Sequence, residues 1–274
     1  MTTMRRVVFV WMATVIALAG TAGVARAQYG ARPMGSTSSA VGENYHAEVS
    51  LGFWTPERDI QVASQSLGIL GTTIDAVNDL GFESENFLVW NVVLRPSKKF
   101  KFRFGYTPIK YEAQAVLSRD IVFNGQRYTV GLPVNSELDW KVWKMGIQYD
   151  FLYGDHGFLG FITDVKYTKA RVDLVSPITS EFSEVSVPVP TIGVAARIYP
   201  VKNLALNGEV TGLSITYSDN HGKYVDFDMN ATFNFTNNVG AQFGYRKLNI
   251  KYTIDDDYGR MNLKGIYFGG VARF

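Results

Sequence analysis

The sequence predicts an all-β chain: a closed, antiparallel, up-and-down transmembrane barrel of ten strands. Three observations carry that prediction. Ten segments between Tyr45 and Phe274 alternate apolar with polar residues at period two. The links between those segments alternate short and long along the chain. Beyond residue 27 there is no second apolar run of about eighteen residues from which a membrane helix could be built. Eight strands with two projecting hairpins, or twelve strands, remain open alternatives at this point.

The first 27 residues, "MTTMRRVVFVWMATVIALAGTAGVARA", place Arg5 and Arg6 before an apolar run and end on Ala25-Arg26-Ala27. That order of charge, apolar stretch and small residues predicts a secretory signal cleaved before Gln28. A retained membrane anchor is the rival reading, and the A-x-A site argues against it. No cysteine follows the run, or occurs anywhere in the chain, so a lipid-anchored form and disulfides are both excluded. The signal holds three of the 27 basic residues and none of the 25 acidic ones, so the remainder is one charge short of neutral. Nothing in that balance points to a nucleic-acid partner. Residues 28–44, "QYGARPMGSTSSAVGEN", are rich in Gly, Ser and Pro without periodicity and read as a flexible leader to a barrel domain over 45–274.

The strands follow in order. In the first, Ala47, Val49, Leu51 and Phe53 oppose His46, Glu48, Ser50 and Gly52. The second sets Leu88, Trp90, Val92 and Leu94 against Val89, Asn91 and Val93. In the third, Phe100, Phe102, Phe104 and Tyr106 alternate with Lys101, Arg103 and Gly105. The fourth opposes Trp143, Met145, Ile147, Tyr149 and Phe151 to Lys144, Gly146, Gln148 and Asp150. Leu159, Phe161, Val165 and Tyr167 face away from Gly160, Asp164, Lys166 and Thr168 in the fifth. The sixth alternates Ile192, Val194, Ala196 and Ile198 with Thr191, Gly193, Ala195 and Arg197. Leu204, Leu206 and Val210 oppose Asn207, Glu209 and Thr211 in the seventh. The eighth sets Phe227, Met229, Ala231, Phe233 and Phe235 against Asp226, Asp228, Asn230, Thr232 and Asn234. In the ninth, Val239, Ala241, Phe243 and Tyr245 alternate with Gln242, Gly244 and Arg246. The tenth is the closing stretch "GIYFGGVARF".

Tight turns fall at 96–99, 153–157, 200–203 and 236–238, and longer polar links at about 55–84, 113–136, 175–184, 216–222 and 254–261. A soluble sandwich also alternates, but its inner face is dry. Here charges recur on the polar face of nearly every strand, while the apolar face is rich in aromatics near strand ends, as interfacial girdles are. In hydrocarbon every backbone N–H and C=O must be paired, which leaves a closed barrel as the way across for a chain without a second apolar helix.

The polar face becomes a candidate site. It collects Lys101, Arg103, Lys144, Lys166, Arg197, Arg246 and Arg273 against Glu48, Asp150, Asp164, Glu209, Asp226 and Asp228. The signs nearly cancel, and a bore of eight to ten strands is just wide enough for side chains to fill. A salt-bridged plug is therefore expected, with a narrow charge-lined pore as the alternative. The Asn124-Gly125 pair between alternating runs is a hairpin signal, read as projecting beyond the membrane. It and the apolar link from Pro56 to Asn86 are expected to pack over the barrel mouth, with partner binding as the second reading.

With these features in place, the sequence resembles the small outer-membrane β-barrel proteins of Gram-negative bacteria over Tyr45–Phe274. The resemblance implies an outer-membrane location, both termini periplasmic, a monomer, contact with outer-membrane lipid and lipopolysaccharide, no cofactor, and insertion by the barrel-assembly machinery. For that machinery the C-terminal signal would be Phe268 and Phe274, with Tyr267 beside them; Gly270 and Ala272 are smaller than usual for the pattern. Such barrels also carry outer-rim proteases and lipid deacylases. Of the three histidines, only His221, with Asp219 nearby, falls at a predicted outer loop. Asp255, Asp256 and Asp257 at another loop are weak candidates for a divalent cation, since the run lacks the spaced ligands and glycine of an EF-hand. The expected role is structural or interactive at the cell surface, without catalysis.

Overall fold

A computed structural model describes residues 40–63, 71–217, 220–254 and 257–274. The expected signal, most of the expected leader, Asp219, Asp255 and Asp256 lie outside the described residues. In chain order the strands are β1 (Ala47–Ala63), β2 (Ile74–Asp75), β3 (Phe87–Leu94), β4 (Phe100–Val116), β5 (Ile121–Phe123), β6 (Gln126–Tyr128), β7 (Pro133–Gly154), β8 (Gly157–Val175), β9 (Ser180–Val201), β10 (Leu204–Tyr217), β11 (Asn220–Asn234), β12 (Val239–Ile254) and β13 (Asp257–Arg273).

Ten of these form the barrel, each antiparallel to its neighbours in sequence order β1-β3-β4-β7-β8-β9-β10-β11-β12-β13. The sheet closes where β13 pairs with β1, Val49 opposite Ala272 and Phe53 opposite Phe268. Where they pair, neither the first nor the last barrel strand is left as a free edge. The two-residue β2 adds to β1, and β5 pairs with β6 in a separate small sheet. That pair is the hairpin expected at Asn124-Gly125, both turn residues at positive φ, 49° and 79°. Two successive left-handed residues give a turn twist that suits a two-residue hairpin, and Asn-Gly adopts that conformation readily. The hairpin does not enter the wall, so the twelve-strand alternative fails.

Side chains alternate as the period predicts. Leu51, Phe53, Met145, Phe161, Phe243 and Phe268 project outward and are exposed, while Glu48, Lys101, Asp164 and Arg197 on the opposite faces are buried. Trp90, Tyr106 and Trp143 stack across three neighbouring strands, ring centroids 4.3–6.0 Å apart, at one margin of this apolar belt.

The long links need correction, because the barrel strands run on into them, β1 as far as Ala63 and β4 as far as Val116, with β7 starting at Pro133 and β9 at Ser180. β7 and β9 each run 22 residues, about 70 Å of extended chain, whereas a crossing takes only about nine to eleven residues. Beyond the belt the alternation persists with its polarity reversed. In β7, Leu138 and Trp140 point inward and are buried, while Lys141 points out into an ion pair with Asp139. The same reversal gives Ile109 and Tyr111 inside with Lys110 outside in β4, and Leu248 inside with Lys247 outside in β12. A wall in water must be polar outside, so the strands continue and only the sign of the pattern changes.

Candidate functional site

The reversal divides the bore into two zones. On the side away from the tight turns, Trp54, Ile60, Ile109, Tyr111, Leu138 and Trp140 form an apolar core together with loop and hairpin residues. Ile121, Phe123 and Tyr128 of the β5–β6 hairpin are wholly buried in it, and the Tyr128 hydroxyl donates to the Leu174 carbonyl at 3.1 Å. Leu80 and Phe82 of the long β2–β3 link pack into the same core. Phe82 stacks on Tyr111 at 5.7 Å. Arg119 ties that link down, donating to Asp79 at 2.9 and 2.6 Å. These hydrogen bonds hold the Asp79 carboxyl below its usual range. The described parts of both segments thus pack over the mouth.

The predicted charges meet in the other zone. Glu48 accepts from Arg273 Nε at 2.5 Å and from Arg197 at 3.2 Å. Arg103 pairs with Glu209 and donates to Gln148 at 3.1 Å. Lys144 stands 3.9 Å from Glu209. Lys101 Nζ lies 2.8 Å from Asp150 in an ion pair, and 3.3 Å from the centre of the Phe158 ring. Asp226 takes both prongs of Arg246 at 3.0 and 2.9 Å, with Lys166 3.5 Å away. Lys166 also donates to Thr211 at 2.5 Å. Asp228 accepts from Asn230 at 3.0 Å and from the Tyr267 hydroxyl at 2.8 Å. Asp164 is buried among these cations, yet neither of its oxygens has a hydrogen-bond partner among the described residues.

Two glycines make this packing possible. A Cβ on Gly146 would sit 1.9 Å from Asp164 Oδ1, and one on Gly160 would sit 2.3 Å from Asp150 Oδ1. Among these groups lies a cavity of ≈ 160 Å³, lined by Glu48, Arg103, Glu209, Asp228 and Arg246 among others.

Tyr267 faces this interior, while its neighbour Phe268 and the terminal Phe274 face outward, 61% and 71% exposed. Among the weak cation candidates, Asp255 and Asp256 fall outside the described residues, and Asp257 is described only as the backbone at the start of β13. His46 and His156 lie at the tight-turn end, and His221 near the opposite end of β11.

Sequence reasoning missed the closure of the tight-turn end. Residues 40–44, read as the end of a flexible leader, are anchored. Val41 N donates to the Lys202 carbonyl at 2.9 Å, and Asn234 Nδ2 to the Val41 carbonyl at 2.9 Å. Glu43, 2% exposed, pairs with Arg95 at 3.2 Å and accepts from the Tyr199 hydroxyl. The Arg95 guanidinium stacks on Tyr45 and Tyr153, each 5.0 Å from the ring centre. An isolated Glu in a Gly/Ser-rich stretch carries no periodic signal, so only the fold could bring Glu43 and Arg95 together.

No family model matches the chain, and no curated protein does. Solved structures do. The outer-membrane protease OmpT of Escherichia coli aligns over 87% of this chain and 99% of its own, at 11% identity and a TM-score of 0.52. The chain has the outer-membrane β-barrel fold. Ail of Yersinia pestis, the attachment invasion locus protein, aligns over 84% of this chain and 99% of its own, at 8% identity and a TM-score of 0.38. The toluene transporter TodX of Pseudomonas putida aligns over 84% and 90%, at 10% identity and 0.34. At such identities the likeness extends to fold alone, and it is the OmpT alignment that supports it.

Proposed function

We propose that this outer-membrane barrel resides as a monomer in the bacterial outer membrane, both termini periplasmic. Its bore is closed, and its role at the cell surface is structural or interactive and non-catalytic. The observation that carries this reading is the filling of the bore in successive layers. Glu43, Arg95 and Tyr199 close the tight-turn end, the paired charges around Glu48, Arg103 and Asp226 occupy the middle, and Trp54, Trp140 and the β5–β6 hairpin fill the far end.

Burying charges is costly unless each finds a partner, and breaking one such pair strands the other charge. A network of this kind favours one shape of the barrel over permeability. The proposed signal for the assembly machinery, Tyr267, Phe268 and Phe274, belongs to the same reading, and Phe268 and Phe274 lie on the outer face where a membrane-side factor could meet them. Planar-bilayer recording of the refolded full chain tests the closed bore: silence is expected, and a steady open level favours the narrow-pore alternative.

A further inference from the structure

The cavity in the charge zone is lined by six basic side chains and four carboxylates, those of Glu48, Glu209, Asp226 and Asp228. Three of these acids are already shared. Glu48 serves Arg197 and Arg273, Glu209 serves Arg103 and Lys144, and Asp226 serves Arg246 and Lys166. The fourth, Asp228, is engaged by Asn230 and the Tyr267 hydroxyl. Beyond the lining, Asp150 adds one negative charge beside Lys101, while Lys166 and Asp164 cancel each other. One positive charge is left in excess, and burying a charge is costly unless something pairs with it.

The same cavity wall holds donors without acceptors. Arg103 donates to Gln148 through Nη1 and to Glu209 through Nη2, and its Nε has no hydrogen-bond partner among the described residues. Arg197 donates to Asn207 through Nε and to Glu48 through Nη2; its Nη1 has no hydrogen-bond partner among the described residues and stands 3.9 Å from Glu43. Both side chains are more than nine-tenths buried, at 6% and 8% exposure. Lys101 follows two residues before Arg103 on β4, about 6.6 Å along the strand. Its ammonium and the Arg197 guanidinium lie over one ring, that of Phe158, at 3.3 and 5.5 Å from the centre. Like charges therefore crowd the side of the cavity where the open N–H groups are.

We propose that the cavity holds one monovalent inorganic anion of the chloride class, bound by the free N–H groups of Arg103 and Arg197 and by the Lys101 ammonium. An excess of one charge selects a monovalent ion over sulfate or phosphate. Open donors, with the neighbouring carboxylates already engaged, select an anion over a cation. A polar cavity of this kind otherwise takes up water, which satisfies donors but neutralises nothing. The inference rests on the closed-bore reading and makes the ion a working part of the plug.

The test is urea unfolding of the refolded full chain in vesicles, with chloride varied and gluconate holding the ionic strength constant. A ligand of the folded state raises the folding constant in proportion to its concentration once its site fills, so each tenfold rise in chloride should raise it by about tenfold. Asn91 lines the same cavity and lies opposite Gly105, two residues along β4 from Arg103. Asn91→Asp supplies the missing negative charge, and should reduce the response to chloride to within about twofold, whereas effects of chloride on the outer surface would persist in it. Equal stability of wild type in chloride and gluconate overturns the proposal, as does an undiminished response in N91D. Heat-dependent gel mobility reports folding; if N91D fails it, Ser50→Asp on the same lining takes its place. Crystals of wild type grown in bromide should show anomalous density in the cavity beside Arg103 and Arg197, and water alone there also overturns the proposal. An open bore would register as conductance, which neither measurement reads, so the two readings fail separately.

Discussion

Glu48 and Arg273 are direct cross-strand partners at the seam where β1 meets β13, and Arg273 Nε donates to Glu48 Oε2 at 2.5 Å. Arg197 reaches the same carboxylate from β9. One buried acid thus joins the first barrel strand, the last, and one near the middle of the chain. Replacing it takes the shared carboxylate from two guanidinium groups in the bore, leaving Arg273 with Asn234 and Arg197 with Asn207 and, at 3.9 Å, Glu43. Glu48→Gln is expected to cost about 3 kcal/mol, within the range for breaking a buried pair. Denaturant titration of the barrel refolded into vesicles measures it, and a cost under about 1 kcal/mol would mean that water already screens the pair.

Depth in the membrane makes the second prediction. Phe104 faces outward within the belt, and Ser214 faces outward on the far part of β10. Phe104→Arg should cost roughly 2–4 kcal/mol and Ser214→Arg about 0–1. Equal costs in the same vesicle titration would argue against a lipid-facing belt.

Close packing of the bore makes the third. Gly146 is opposite Asp164, and an added Cβ would also meet the Thr163 carbonyl at 2.5 Å. Gly146→Ala should therefore destabilise by about 1–3 kcal/mol, the usual cost of overpacking. Gly208 has nothing within 4 Å of its added Cβ. Gly208→Ala should be near neutral in the same assay, and a matching loss there would assign the effect to strand backbone instead of to the bore.

Acid should loosen the cap over the far mouth. Hydrogen bonds from Arg119 depress the Asp79 carboxyl, and backbone donation from Val130 together with Arg127 depresses Asp120. A carboxyl lowered in the folded state stabilises fully above its unfolded value, about 3.9, and loses that contribution as pH falls through the folded value. Hydrogen-exchange protection of residues 72–82 and 117–132 should thus fall below about pH 4 while the belt strands hold. Arg119→Gln should lower protection at neutral pH and remove the acid step assigned to Asp79. Unchanged protection in that variant would show that the apolar contacts of Leu80 and Phe82 hold the link unaided.

How far the sequence reaches depends on which zone is considered. Around Val165, Lys166 and Tyr167 the pattern is apolar outside and charged inside, so strand, face and burial were all legible. Around Leu138, Asp139, Trp140 and Lys141 the period is unchanged but the sign is reversed, and a reading tuned to one polarity started its fourth strand only at Trp143 and left these residues unassigned. Following the period past the Tyr106–Trp143 girdle, regardless of sign, would have found them. Cross-strand assignments within the charge network, such as Asp226 with Arg246, are partly implied by neighbouring strands. The span from Glu48 to Arg197 across the bore is not, and neither is Glu43 with Arg95, because those contacts depend on the tilt and stagger of closure. Asp164, buried without a hydrogen-bond partner among the described residues, has no signature in sequence at all.

Closure of the bore is the central claim, and single-channel recording of the refolded full chain in a planar bilayer tests it most directly. The layered filling predicts no steady conductance above the bare membrane across repeated insertions, with insertion verified by the heat-dependent gel shift of recovered protein. A reproducible open level, graded by salt and shifted by Glu48→Gln, would contradict it.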